Sequence, residues 1–209
     1  SIYSHLAGAD EEKHNDFTKA QVEQFLLLAD KIEKALKIHT IRHILNSAGI
    51  IRFPEFQLDM IRLGIGLYGF EACQLEQDEL RPISTLKTVI SQIKNVKKGE
   101  TIGYSRVGVA TQDARIATID IGYADGFLRA FSNGKISLLV NGKPAPVIGN
   151  ICMDMCMLDI TGIEANEGDE VIVFGENPSI KELADAINTI PYEILTNISS
   201  RVTRVFYTN

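Results

Sequence analysis

Between Lys19 and Lys37 the apolar residues Val22, Phe25, Ala29, Ile32 and Leu36 recur at helical spacing with charges between them. This predicts an amphipathic helix of about five turns whose apolar stripe needs a sheet or helix to cover. Ahead of it the chain opens on a strand that leads into a loop. After it, "KIHTIRHILNSAG" reads as a short β-branched strand running into a polar turn of small residues. "FPEFQLDMIR" predicts a short helix with Pro54 in its first turn, and "LGIGLYGF" a return to strand. Strands are therefore expected at about 2–6, 38–44 and 62–68, alternating with helices as in parallel β/α units.

Beyond "RPISTLKT" the grammar changes. "TLKTVISQIKNV", "ARIATIDIGY", "KISLLVNGKPAPVIG", "MCMLDIT" and "DEVIVFG" are alternating or apolar strands divided by glycine, asparagine and lysine turns. Asn141-Gly142 is the strongest hairpin signal, because both residues tolerate the positive φ of a two-residue turn. One helix from Ser179 interrupts the strands before a final "TRVFY". The expected fold class is thus α/β plus β, with an α/β part over residues 1–80 and a β-strand-rich domain over residues 81–209.

Composition narrows the partners. Hydrophobic residues make up 45% and charged residues 23% of the 209, near the averages of globular proteins. No run approaches the roughly 20 apolar residues of a bilayer span, so no membrane segment is expected. A net charge of −6 without basic clusters argues against a nucleic-acid groove, and points to a small molecule or another protein. Cys73, Cys152 and Cys156 fit neither a disulfide framework nor a zinc site, and read as reduced cysteines of a cytoplasmic protein. The opening lacks both an initiator methionine and a signal-peptide pattern, and reads as the later part of a longer chain.

Several stretches carry candidate chemistry. The glycines of "LGIG" and the "NSAG" turn let backbone N–H groups approach a ligand closely, and Ser47 adds a hydroxyl; these suit a phosphate, although a glycine-rich strand end is more often a packing or turn device. Arg62 opens an apolar, glycine-punctuated run. It reads either as an ion pair at a sheet edge or, with His5 and His43 beside the other two predicted strands, as part of a cluster at the carboxyl face of a β/α barrel. Tyr104 in "GETIGYS" and Tyr123 in "GYADGFLR" fit acid/base work beside a cation or plain core packing. The cysteines and methionines of "GNICMDMCM" fit a β core.

Taken together, "YSHLAGADE", "HILNSAGIIRFPEFQLDMIRLGIGLYG", "TLKT", "KKGETIGYS", "IDIGYADGFLR", "VIGNICMDM", "GDEVIVFG" and "PYEILTNISSRVTRVFY" resemble, in order and approximate spacing, the alanine racemases. The resemblance covers essentially the whole chain. It implies a pyridoxal-5′-phosphate (PLP) enzyme that interconverts L- and D-alanine for bacterial peptidoglycan. It also implies a β/α barrel, of which residues 1–80 supply the last three strand–helix units, followed by a β domain, in a homodimer with composite active sites.

Residue by residue, Arg62 resembles the arginine facing the pyridine nitrogen of PLP, and His5 and His43 the histidines that hold it, with His5 linking towards the catalytic tyrosine. Ser47, Gly64, Ile65 and Tyr192 match phosphate-binding positions. Tyr104 matches the tyrosine acting from the partner subunit as base towards L-alanine. Met153 matches a position whose backbone N–H contacts the substrate carboxylate, and Tyr123 a tyrosine at the entrance; Asp125 and Arg129 are assigned structural support.

Several family features are absent: the PLP-binding lysine, the early barrel strands, an arginine that assists near the substrate and a lysine often carbamylated in the family. The PLP-binding lysine of the family lies in a "KANAYGHG"-like motif of an N-terminal barrel segment, and the 209 residues contain no such motif. Lys87, Lys94, Lys97, Lys98 and Lys143 read as surface lysines. The 209 residues alone are therefore expected not to racemise alanine, and to leave one side of a parallel sheet unpaired. Alternative readings are a non-catalytic dimerisation or binding module, and a racemase of another amino acid such as serine.

Overall fold

A computed structural model describes residues 1–71, 73 and 80–207 of the protein. The chain divides into two compact units, Ser1–Ile83 and Ser84–Asn209. Among the described residues no helix is long and apolar enough to cross a membrane.

In the first unit, β1 (Ile2–Tyr3) pairs in parallel with β2 (Arg42–His43), in the register Ile2 to Arg42 and Tyr3 to His43. His43 then forms a parallel bridge to Met60. The connection from β1 to β2 carries α1 (Asn15–Leu36), which buries Thr18, Val22, Phe25 and Ala29. These four lie three or four residues apart and so share one face. Val22 and Phe25 pack with Leu6, Ala9, Ile44, Leu45, Ala48 and Phe53 into the core of the unit. Each of the valine, leucine, isoleucine and phenylalanine side chains contributes about 1.5–3 kcal/mol when fully buried.

Ile32 and Leu36, expected on the same stripe, are exposed instead. A helix of 22 residues spans about 33 Å, far longer than the two-residue strands it covers, so its last turns run past the core. The "NSAG" segment is not a turn: it begins α2 (Ser47–Arg52), where the Asn46 side chain caps the helix by accepting from Gly49 N–H at 2.9 Å. Pro54 opens a short 3₁₀ turn, Pro54–Phe56. The strand expected at about 62–68 is absent. Only Met60 bridges to the sheet, and Ile65–Tyr68 forms a 3₁₀ turn ending at Gly69 with φ +80°.

The second unit is built on a closed antiparallel barrel. Its strands are β3 (Leu86–Val96), β6 (Ala114–Ile119), β7 (Ser137–Val140), β8 (Lys143–Ile148), β9 (Cys156–Asp159) and β10 (Glu170–Phe174). Around the barrel they follow the order β10-β3-β6-β9-β8-β7, and β7 closes on β10. Closure leaves no open edge. Ile90, Ile119, Leu138, Val140, Val147, Leu158, Val171 and Val173 are buried to 1% exposure or less and fill the interior. Asn141 (φ +49°) and Gly142 (φ +74°) form the β7–β8 turn, both in the left-handed region that such a hairpin requires.

Outside the barrel, β4 (Thr101–Ile102) pairs with β5 (Gly108–Val109). Ser179 and Glu182 form a reciprocal capping box on α3 (Ile180–Ala186). A further helix, α4 (Pro191–Asn197), starts at Pro191. The final "TRVFY" is not a strand. The guanidinium of Arg204 donates to the carbonyls of Ile198, Ser199 and Val202 and gathers this stretch into a loop, leaving Val205, Phe206 and Tyr207 exposed.

Candidate active site

Parallel pairing sets the carboxyl ends of β1, β2 and the Met60 bridge side by side, and three of the singled-out residues emerge there. The Arg62 guanidinium donates from Nη1 to His43 Nδ1 at 2.8 Å and from Nη2 to His5 Nδ1 at 3.1 Å. Nη2 also donates to the Ser4 carbonyl at 2.8 Å. A guanidinium has no acceptor, so both histidines present an unprotonated Nδ1 to it. Among the described residues, Arg62 Nε–H has no protein acceptor, unlike the two terminal nitrogens. His43 is buried, and its protonation is held below the ordinary value, first by burial and then by the charge of Arg62.

Tyr3 completes this cluster. Its ring stacks on His43 with centroids 5.3 Å apart, and the Arg62 guanidinium lies 5.2 Å from its centroid. Sequence reasoning missed Tyr3, whose ring meets His43 only once β1 pairs with β2.

A second group of polar atoms lies on the neighbouring segment. Ser47 Oγ, on the first residue of α2, accepts from Gly64 N–H at 2.9 Å and from Gly66 N–H at 3.4 Å. A Cβ on Gly66 would stand 2.8 Å from Leu63 Cδ1, so the backbone there is closely surrounded. Ile65 is buried at 2% exposure between the two glycines. Backbone N–H groups gathered around a hydroxyl suit an anion. These residues and the Arg62 cluster offer donors of the kind that a cofactor bearing both a phosphate and a ring nitrogen requires.

The second unit holds Tyr104, Tyr123, Met153 and Tyr192. Tyr104 follows β4 and is 72% exposed, displayed by Gly103, Ser105 and Arg106, all with positive φ. Buried Asn150 steadies this turn by donating to the Tyr104 carbonyl at 3.1 Å. An open cavity of about 410 Å³ is lined by Tyr104, Tyr123, Arg129, Asn150, Ile151 and Cys152. Asn150 was not singled out from sequence, where nothing separates it from the turn asparagines of the barrel.

The "GYADG" and "CMD" turns lock together. Tyr123 N–H donates to the Cys152 carbonyl and Ala124 N–H to the Met153 carbonyl, each at 3.0 Å. A Cβ on Gly122 would fall 2.3 Å from the Met153 carbonyl oxygen, so only glycine permits this approach. Asp125 supports the turn by accepting from Gly122 N–H at 3.0 Å. Of the residues expected to fill a β core, only Cys156 is fully buried. Met153 and Met155 lie at the turn and are exposed, because the turn projects beyond β9. Tyr192 is partly exposed on α4, where its carbonyl accepts from Thr196 Oγ1.

Comparison with known proteins matches both units. The alanine racemase C-terminal domain matches residues 83–206 and the alanine racemase N-terminal domain residues 1–72. An alanine racemase of Clostridium tetani is 40% identical over 213 residues, covering 98% of this chain and 55% of that protein. Alanine racemase from Streptomyces lavendulae superposes with a TM-score of 0.90 at 32% identity, covering 100% of this chain and 56% of that one. The enzyme from Bartonella henselae, solved with covalently bound pyridoxal phosphate, gives 0.87 at 30% identity, covering 99% and 56%. The chain spans about half the length of the curated relatives it matches. With both units matched by family domains, and by relatives along nearly its whole length, the chain belongs to the alanine racemase family.

Proposed function

We propose that the whole protein carrying this sequence is a PLP-dependent alanine racemase, cytoplasmic and serving peptidoglycan synthesis, and that this chain supplies the groups facing the pyridine nitrogen and the phosphate together with one of two acid/base groups. The observation that carries the reading is Arg62, held through Nη1 and Nη2 by His43, His5 and Ser4 while, among the described residues, its Nε–H is left over as a donor, in a member of this family. In this reading, the first unit is the last part of a PLP-type β/α barrel, with the Met60 bridge where a third strand was expected.

PLP, when bound, supplies an electron-withdrawing ring that acidifies the Cα–H of the amino acid. Arg62 would hold the ring nitrogen by donating to it. Because a guanidinium does not give up its proton, that nitrogen stays unprotonated and the ring withdraws electrons less strongly. His5 and His43 orient Arg62. Ser47, already accepting from the N–H groups of Gly64 and Gly66, keeps its own O–H as a donor for phosphate oxygens, beside Gly64, Ile65 and Tyr192.

Racemisation needs a proton removed on one face of Cα and delivered on the other. Tyr104 Oη takes or returns the proton on the L-alanine face, and Met153 N–H holds the substrate carboxylate. Tyr123 lies at the entrance. In the family the opposite face belongs to a lysine, in a motif that these 209 residues do not contain. In this reading the whole protein works as a homodimer with composite sites, and the 209 residues, without that lysine, do not turn over alanine.

The test is turnover by the purified whole protein with PLP, offered L-alanine, L-serine and L-lysine in parallel. Formation of D-alanine in clear preference is expected. Preference for another amino acid would overturn the substrate, and no turnover of any would overturn the activity.

A further inference from the structure

We infer that Arg201 is a positioning residue that sets the Met153 turn for recognition of the substrate carboxylate. This rests on the reading of the whole protein as an alanine racemase. The turn Cys152–Met155 is closed by Cys152 N–H donating to the Met155 carbonyl at 2.9 Å, with Met153 and Asp154 at its centre. Arg201 reaches it from the loop after α4: Nη2 donates to Asp154 Oδ1 at 2.7 Å, and Nε faces Asp125 Oδ1 at 3.5 Å. One guanidinium thus spans the carboxylates of both turns, the one bearing Met153 and the one bearing Tyr123.

The loop is itself anchored to the same turn. Ser199 N–H donates to the Asp125 carbonyl at 3.0 Å, and a Cβ on Gly126 would lie 2.3 Å from the Asn197 carbonyl oxygen. Arg204 holds the loop closed through three carbonyls. The segment from Asn197 to Arg204 is therefore a brace joining the helix that carries Tyr192 to the turns that carry Tyr123 and Met153.

The side chains of Arg201 and Asp154 are about half exposed, at 52% and 50%, so their pairing adds little to global stability. Its consequence is directional. Asp154 follows Met153, and tethering it restrains the turn in which the Cys152–Met153 peptide, whose carbonyl accepts from Tyr123 N–H, carries the Met153 N–H. A lysine at position 201 would keep the charge but lose the planar fork that spans two carboxylates.

The experiment compares the PLP-loaded whole protein with R201Q, R201K, D154N and the R201Q/D154N pair. Expected are KM values for both alanine enantiomers raised about three- to fivefold in R201Q and D154N, with kcat within about twofold. R201K should recover part of the loss, and the pair should be no worse than the poorer single variant. Amide exchange over residues 122–125 and 152–155 should accelerate in R201Q while the thermal midpoint hardly moves.

Unchanged KM, additive losses, or a fall in kcat that tracks a lowered midpoint would overturn the proposal. If R201Q does not fold, D154N and R201K decide it by the same criteria. A wild-type protein without alanine turnover would overturn the functional reading instead, and the exchange rates would still decide whether Arg201 orders the two turns.

Discussion

Arg62 donates through Nη1 to the Nδ1 of His43 at 2.8 Å, and this bond fixes both partners. Since the guanidinium only donates, His43 must present a lone pair and remain neutral, and a neutral histidine leaves the charge of Arg62 uncancelled. The same cation is bonded to His5 and the Ser4 carbonyl, so its orientation is set from several sides.

Neutral His43 makes stability depend on pH. Its folded pKa lies below the ordinary 6.5, so the unfolded chain binds the extra proton first on acidification. The contribution is complete above about 6.5 and is lost as pH falls through the folded value. Urea unfolding of wild type and His43→Gln at pH values from 8 down to 5 should diverge in slope only below that point.

Tyr3 acts through its ring rather than its hydroxyl. Tyr3→Phe retains the stack on His43 and the face beneath Arg62, whereas Tyr3→Ala removes both. The expected stability loss is about 0.5–1 kcal/mol for alanine beyond any area lost and near zero for phenylalanine. Equal losses in the two variants would assign the effect to the hydroxyl.

Glu33 is held down to about 2 by the Arg42 guanidinium and then by Thr40, against an ordinary 4.5. A depressed carboxylate contributes above its unfolded pKa and loses that contribution as pH falls through its folded value. Wild type should accordingly lose its advantage over Glu33→Gln between about pH 4.5 and 2, read from thermal midpoints.

At Gly122 the close approach of two backbone carbonyls, at 2.3 and 2.4 Å from a notional Cβ, leaves no flexible group to yield. Gly122→Ala is expected to cost about 1–3 kcal/mol, as overpacking does, and to raise KM for alanine by displacing Met153. Equilibrium unfolding and steady-state kinetics together check it.

What could be read from sequence divides by how local its cause is. The Asn141-Gly142 hairpin was legible because two adjacent residues supply the positive φ. The α1 face was legible from periodicity as far as Ala29, but not at Ile32 and Leu36, since the extent of the facing sheet is not written in the helix. "LGIGLYGF" misled because Leu63, Ile65 and Leu67 alternate like a strand, while Ile65–Tyr68 is a 3₁₀ turn and Gly69 takes φ +80°. "TRVFY" misled in the same way, its β-branched and aromatic residues outweighed by the carbonyl bonds of Arg204.

For the candidate site, the predicted strand ends offered His5, His43 and Arg62 as one cluster, but spacing alone did not decide for it. Each alone had a plain structural reading, and motif order made them a group. Tyr3 and Asn150 act through a ring face and a buried amide, features that appear only once β1 meets β2 and the Tyr104 turn is formed.

The most direct measurement is exchange of the alanine Cα–H in D₂O, followed by NMR, for the PLP-loaded whole protein and its Tyr104→Phe variant. The account predicts rapid exchange with D-alanine formation in wild type, and a loss of roughly a thousandfold from L-alanine when the phenol oxygen is removed. Near-wild-type exchange in Tyr104→Phe would contradict it.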